Sequence, residues 1–116
     1  MPIPSDYAEI VTALTEKTQE GALRWEKSPF TVFAEIDRSK FSLWAGDDEI
    51  TGTPFVAFSL SNADGETLDS WFLDESDDDY QRVLDLFKAA TRHAHGVPAR
   101  LKELAIRIAG LTKVAD

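Results

Sequence analysis

The chain contains no cysteine, one methionine and two histidines in 116 residues. Without thiols there is no disulfide framework, no thiolate nucleophile and no cysteine metal site. The two histidines, His93 and His95, fall at i and i+2 of a helical stretch. Such side chains point about 200° apart, so they do not face one metal ion; they read as residues of a last helical turn, favourable to the helix dipole. No apolar run approaches the ~20 residues of a membrane span, and the N-terminus shows no basic segment followed by an apolar one. The expectation is a cytoplasmic protein without membrane contact. Glycine is sparse, and Gly46 and Gly52 lack the following Lys-Ser/Thr of a phosphate-cradling loop. No Gly-x-Ser-x-Gly elbow occurs. These absences leave no catalytic residue, cofactor or metal ligand to name.

The most informative absence concerns charge of one sign. Between residues 41 and 81 there is no Lys or Arg, while Asp47, Asp48, Glu49, Asp64, Glu66, Asp69, Asp74, Glu75, Asp77, Asp78 and Asp79 all carry carboxylates. Residues 82–113 reverse the balance, with Arg82, Lys88, Arg92, Arg100, Lys102, Arg107 and Lys113 against Asp85 and Glu103. The formal net charge of −9 therefore conceals a bipolar chain. Three readings stand: each half solvates its own surface, one end engages a basic partner, or acidic and basic ends meet between copies. Direct nucleic-acid binding is not expected, because the net charge opposes it and helix three forms no single basic face.

What is present is enough for one packed domain spanning residues 1–116. Hydrophobic residues make up 43%, with seven Phe and three Trp, enough for a core at this length. Pro2 and Pro4 keep the first residues extended. Ser5 caps a first helix over 5–20, whose Tyr7, Ile10, Val11 and Leu14 form one stripe, and Gly21 stops it. Residues 21–29 read as a connector in which Trp25 lids a core. Four strands follow, over 30–37, 41–45, 55–61 and 66–73, with Gly65 suited to a hairpin turn with a bulge. Short loops imply an antiparallel meander. On the expected faces, Phe33, Trp44, Phe55 and Trp71 share one side, and Phe58 and Phe72 the other.

The acidic run then leads into helix two, 77–95, with Ser76 as N-cap, an Asp78–Arg82 pair, and a stripe of Tyr80, Val83, Leu84, Phe87, Ala90 and Ala94. A calcium loop starting at Asp74 would place Asp79 where such loops need glycine, and helix capping explains the same acids. Helix three, 98–112, has a stripe of Leu101, Leu104, Ala105, Ile108 and Leu111, with Ile106 opposite it. The expected class is α+β, ordered α-β-β-β-β-α-α, with helices on one face of the sheet.

This order, with the connector Gly21, Ala22, Leu23, Trp25 and the segment from Leu84 to Arg92, resembles small uncharacterised bacterial proteins of similar length. The resemblance implies a fold order and a bacterial or phage-like source, and carries over no catalytic residue. The function expected from the residues is that of a non-enzymatic interaction protein whose acidic β region contacts a basic protein. Asp47, Asp48, Glu49, Asp77, Asp78, Trp44, Trp71 and Ile106 are its candidate contact residues. Two alternatives stand beside it. One is a homodimeric module using Ile106, Ala109 and sheet aromatics. The other is a small-molecule enzyme with a pocket at Trp25, Trp44 or Trp71.

Overall fold

A computed structural model describes residues 4–112; Pro2 and Lys113 lie outside them. The element order is α1 (Ser5–Gln19), β1 (Glu26–Ser28), β2 (Thr31–Ile36), β3 (Ser39–Asp47), β4 (Pro54–Ser61), β5 (Thr67–Asp74), α2 (Tyr80–Ala94) and α3 (Val97–Ala109). The strands form one antiparallel sheet in the order β1-β2-β3-β4-β5. The α+β class and the meander agree with the sequence. The sheet has five strands rather than four, because part of the presumed connector, Glu26–Ser28, pairs with Thr31–Phe33. That strand is all polar and exposed, so no hydrophobic alternation marks it. It exists because a two-residue Pro29-Phe30 turn folds it back, with Phe30 at φ 67°, the positive value that the third position of a type II turn requires.

The pairing register sorts the sheet into two faces. Val32, Leu43, Phe58 and Trp71 form one cross-strand row, and Ala34, Phe41, Leu60 and Asp69 the next. Both lie under α1 and α2. The opposite face carries the row Phe33, Ser42, Ser59, Ser70 and the row Trp44, Ala57, Phe72. Trp71 and Phe72 are thus exchanged relative to expectation. Alternation fixes parity within a strand, but pairing fixes it between strands. Here the β4–β5 hairpin shifts register between Leu60 and Ser61.

One core fills the space between sheet and helices: Tyr7, Val11 and Leu14 from α1, Val83, Leu86 and Ala90 from α2, and Val32, Leu43, Val56, Phe58 and Leu73 from the strands. On α1, Thr18 is buried where Ile10 was expected. Its hydroxyl donates to the Leu14 carbonyl at 2.6 Å and accepts from Trp25 Nε1 at 2.8 Å. Both buried polar groups are therefore satisfied, and the connector is locked beneath the helix. The helix ends in a Schellman motif: Gly21 N–H donates to Thr18 O and Ala22 N–H to Lys17 O, with Gly21 at φ 76°.

Two helix starts differ from expectation. Pro4, with extended ψ 148°, occupies the N-cap of α1, and Ser5 is already helical. Helix α2 begins at Tyr80 with Asp79 at the N-cap and no side-chain cap bond. Residues 74–79 instead close successive turns, in which Asp77 N–H donates to Asp74 O and Tyr80 N–H to Asp77 O. Ser76 Oγ donates to Asp74 rather than capping. Asp78 precedes the helix, so the i,i+4 geometry expected with Arg82 does not arise. Leu86, absent from the expected stripe, is fully buried, because α2 is gripped by α1 as well as by the sheet.

Tyr7 Oη donates to the Asp69 carboxylate at 2.6 Å and ties α1 to β5. Burial first, then the hydrogen bond and charge of Asp69 and the charge of Asp6, raise the Tyr7 hydroxyl to about 12. The unfolded value is about 10. The contact's contribution is therefore full below pH ~10 and lost as pH rises through ~12. Denaturant titrations across this window should show a fall in stability for the wild type that Tyr7→Phe lacks. Leu86→Ala should cost about 2–5 kcal/mol by urea unfolding, against within about 0.5 kcal/mol for Ile106→Ala.

Candidate functional site

The face turned away from α1 and α2 carries no helix, and its aromatics gather at one end. Trp44 meets Phe72 edge-on with centroids 5.8 Å apart, and Phe55 lies 5.5 Å from Phe72. The rings of Trp44 and Phe72 flank Ala57, which is fully buried although no helix lies above it. Phe72 itself is 57% exposed. Gly46 sits opposite Phe55 in the ladder, and a Cβ there would meet the Phe55 ring at 3.4 Å. The glycine thus leaves the floor of the patch flat. Further along the face, Lys40 Nζ stands 5.2 Å from the Phe33 ring centroid, the separation of a cation–π contact.

The acidic loops border this aromatic end. β3 ends at Asp47, β4 starts at Pro54 and β5 ends at Asp74, and the register aligns all three. Asp47 at the end of β3, Asp48 and Glu49 in the β3–β4 loop, and Asp77 and Asp78 in the β5–α2 turn therefore stand at the same end of the sheet. A cleft of about 390 Å³ between the two loops is lined by Asp48, Thr51, Thr53, Phe55, Phe72, Leu73 and Asp74. Two hydrophobic side chains, Phe30 and Ile50, project almost wholly into solvent from hairpin tips at this end.

Not every carboxylate here is available to a ligand. Asp48 Oδ1 accepts the backbone N–H of Ile50 at 2.8 Å and of Thr51 at 3.0 Å. Thr51 N–H first, then Ile50 N–H, hold its carboxyl below the usual carboxylate range. Asp77 accepts the Asp74 N–H at 2.9 Å, and Asp74 accepts from Ser76. Asp48, Asp74 and Asp77 shape the loops, while Asp47, Glu49 and Asp78 stand exposed at this end of the sheet, Asp47 on the side of the helices.

Six of the eight candidate residues thus come together: Trp44, Asp47, Asp48, Glu49, Asp77 and Asp78. Trp71 lies on the helix-covered face, its ring 4.2 Å from that of Tyr7 and 5.9 Å from that of Phe58. Ile106 is on α3, 76% exposed and remote from the sheet. Phe55 and Phe72 belong to the patch but were not singled out from the sequence. The parity of Phe72 is readable only with the β4–β5 register.

Trp25, Trp44 and Trp71 do not share a cavity. A shallow depression beside Trp25 is lined also by Leu23, Lys27, Phe33 and His93, but Trp25 as a residue is 4% exposed and its Nε1–H donates to Thr18. Among the described residues, no group of three or more His, Asp or Glu is placed to hold a metal ion, and no helix is long and apolar enough to cross a membrane. Comparison with known protein families, curated proteins and solved structures finds no match.

The lowered Asp48 pKa fixes a pH dependence. The loop contribution is present above the unfolded value of about 3.9 and is lost as pH falls through the lower folded value. Amide exchange by NMR should show the Ile50 and Thr51 N–H groups protected at neutral pH and deprotected by Asp48→Ala, with the sheet amides unchanged.

Proposed function

We propose that the protein is a non-enzymatic protein-binding module whose open, acid-rimmed sheet face docks a basic amphipathic segment. The observation that carries this reading is the juxtaposition of the Trp44–Phe55–Phe72 patch with the acidic β3–β4 and β5–α2 loops, whose Asp48 and Asp74 line the cleft beside Phe55 and Phe72. An aromatic cluster that reaches solvent through Phe72, with Trp44 and Phe55 half-buried beside it, and that is bordered by charge has the composition of an interaction site. Aromatic faces also attract Lys and Arg heads, whose stems cover the apolar floor. Rim carboxylates act mainly on association rate and partner choice, and the aromatics on residence time.

The test uses the exposed acids only, leaving the loop-forming Asp48 and Asp77 intact. Pull-downs from the source cells should compare the wild type with Asp47→Lys/Glu49→Lys/Asp78→Lys and with Phe72→Ala. The wild type should retain a basic protein at 0.1 M salt and release it toward 1 M, where the screening length falls to about 3 Å. Both variants should lose it while melting as the wild type does. Equal recovery on the charge-reversed and wild-type proteins would sink the proposal.

A further inference from the structure

Two hydrophobic side chains project from loop tips at the aromatic end of the sheet. Phe30 and Ile50 are each 95% exposed, and among the described residues no other large hydrophobic exceeds 76%. Phe30 lies in the β1–β2 turn and Ile50 in the β3–β4 loop. In the strand order of the sheet these connections are two strand spacings apart, about 10 Å.

Packing explains neither side chain. Phe30 has φ 67°, in the left-handed region that glycine enters freely and a bulky residue only at a cost. Burial does not offset that cost, because the ring stands in water. Glycine would close the same turn without strain. A residue kept in such a conformation without a packing gain points to a role outside the fold. Ile50 is held in place by its loop. Asp48 Oδ1 accepts the N–H groups of Ile50 and Thr51 at 2.8 and 3.0 Å. Asp48 N–H donates to Thr53 O at 2.8 Å, and Gly52 N–H to Asp48 O at 2.7 Å. The backbone around Ile50 is therefore ordered before any partner arrives, which lowers the entropy lost on binding.

We infer that Phe30 and Ile50 are paired anchors that enter apolar pockets on a folded protein partner. This rests on the reading of the chain as a protein-binding module, and it names the shape of the partner. A lone helix or strand can lie across the Trp44–Phe55–Phe72 floor, but it cannot enclose two separate tips at the end of the sheet. A folded surface with two depressions can, and anchors seated in pockets carry most of the affinity of an interface. The exposed carboxylate of Glu49, next to Ile50, sets a basic rim on the pocket that takes Ile50. A lipid surface does not fit, because inserting Ile50 would bring Glu49 into the negative potential of anionic headgroups.

Photocrosslinking in the source cells tests this, with p-benzoylphenylalanine in place of Phe30, of Ile50 or, as a control, of the exposed and remote Ile106. The first two should form adducts with the same folded protein, and the control should not. That protein, once purified, should bind the wild type. Phe30→Gly and Ile50→Ser should each weaken binding about tenfold or more, chiefly through faster dissociation. Phe30→Gly should melt at or above the wild-type temperature, since the strain is relieved, and Ile50→Ser at the wild-type temperature. A purely structural role for Phe30 would instead lower the melting temperature. The inference is overturned by the absence of adducts at 30 and 50, by adducts with unrelated proteins, or by variants that bind as the wild type does. If Phe72→Ala still abolishes binding in that last case, the sheet-face reading stands without the tips. If the tip variants lose binding and Phe72→Ala does not, the tips stand and the sheet-face reading falls. Cosedimentation of the wild type, but not of the tip variants, with phosphatidylcholine–phosphatidylserine vesicles would overturn the inference in favour of a lipid surface.

Discussion

A sheet has two faces, and this chain places both of its packed helices on one of them. Everything else about the molecule depends on that allocation. Leu86, Val83 and Ala90 of α2 and Val11 and Leu14 of α1 meet the row of Val32, Leu43 and Phe58, and burial there supplies the main driving force for folding. The reverse face receives no such cover, yet it carries Phe33, Trp44, Phe55 and Phe72. Trp44 and Phe72 shield Ala57, so part of that surface is dry without a third layer. The rest is an apolar surface in contact with water.

Charge follows the same division. The turns that close the β3–β4 and β5–α2 connections need side-chain acceptors for backbone N–H groups, and Asp48, Asp74 and Asp77 provide them. Asp and Asn suit that task because their short side chains reach neighbouring amides. The acidic run is therefore partly structural. Asp47, Glu49 and Asp78 are in excess of what the turns require, and they concentrate a negative field beside the aromatic floor.

The α+β class, the meander and all three helices were legible from hydrophobic periodicity and from Gly21, Gly65 and Gly96. Three things were not. β1 has no buried side chain and owes its existence to a turn. The face of Trp71 depended on a register shift beyond the reach of alternation within one strand. Leu86 stands outside the single stripe of Tyr80, Val83, Leu84, Phe87, Ala90 and Ala94, and is buried because α1 covers α2 from a second direction. The acidic end of the site was visible as a charge count, but its aromatic floor needed the pairing of Phe55 and Phe72 across β4 and β5.

The Tyr7–Asp69 contact has a bearing on solubility. β5 is an edge strand of eight residues, and an open edge of that length is a template on which other strands can add to form fibres. Asp69 sits on its inward side, where a carboxylate must keep an acceptor's partner or face water. The Tyr7 hydroxyl supplies that partner within the monomer. A strand adding along β5 would enclose the carboxylate further and meet the bulged Leu68, which the β4 register skips between Thr67 and Asp69, so the bond that fastens α1 also makes the sheet's longest free margin a poor seed for aggregation.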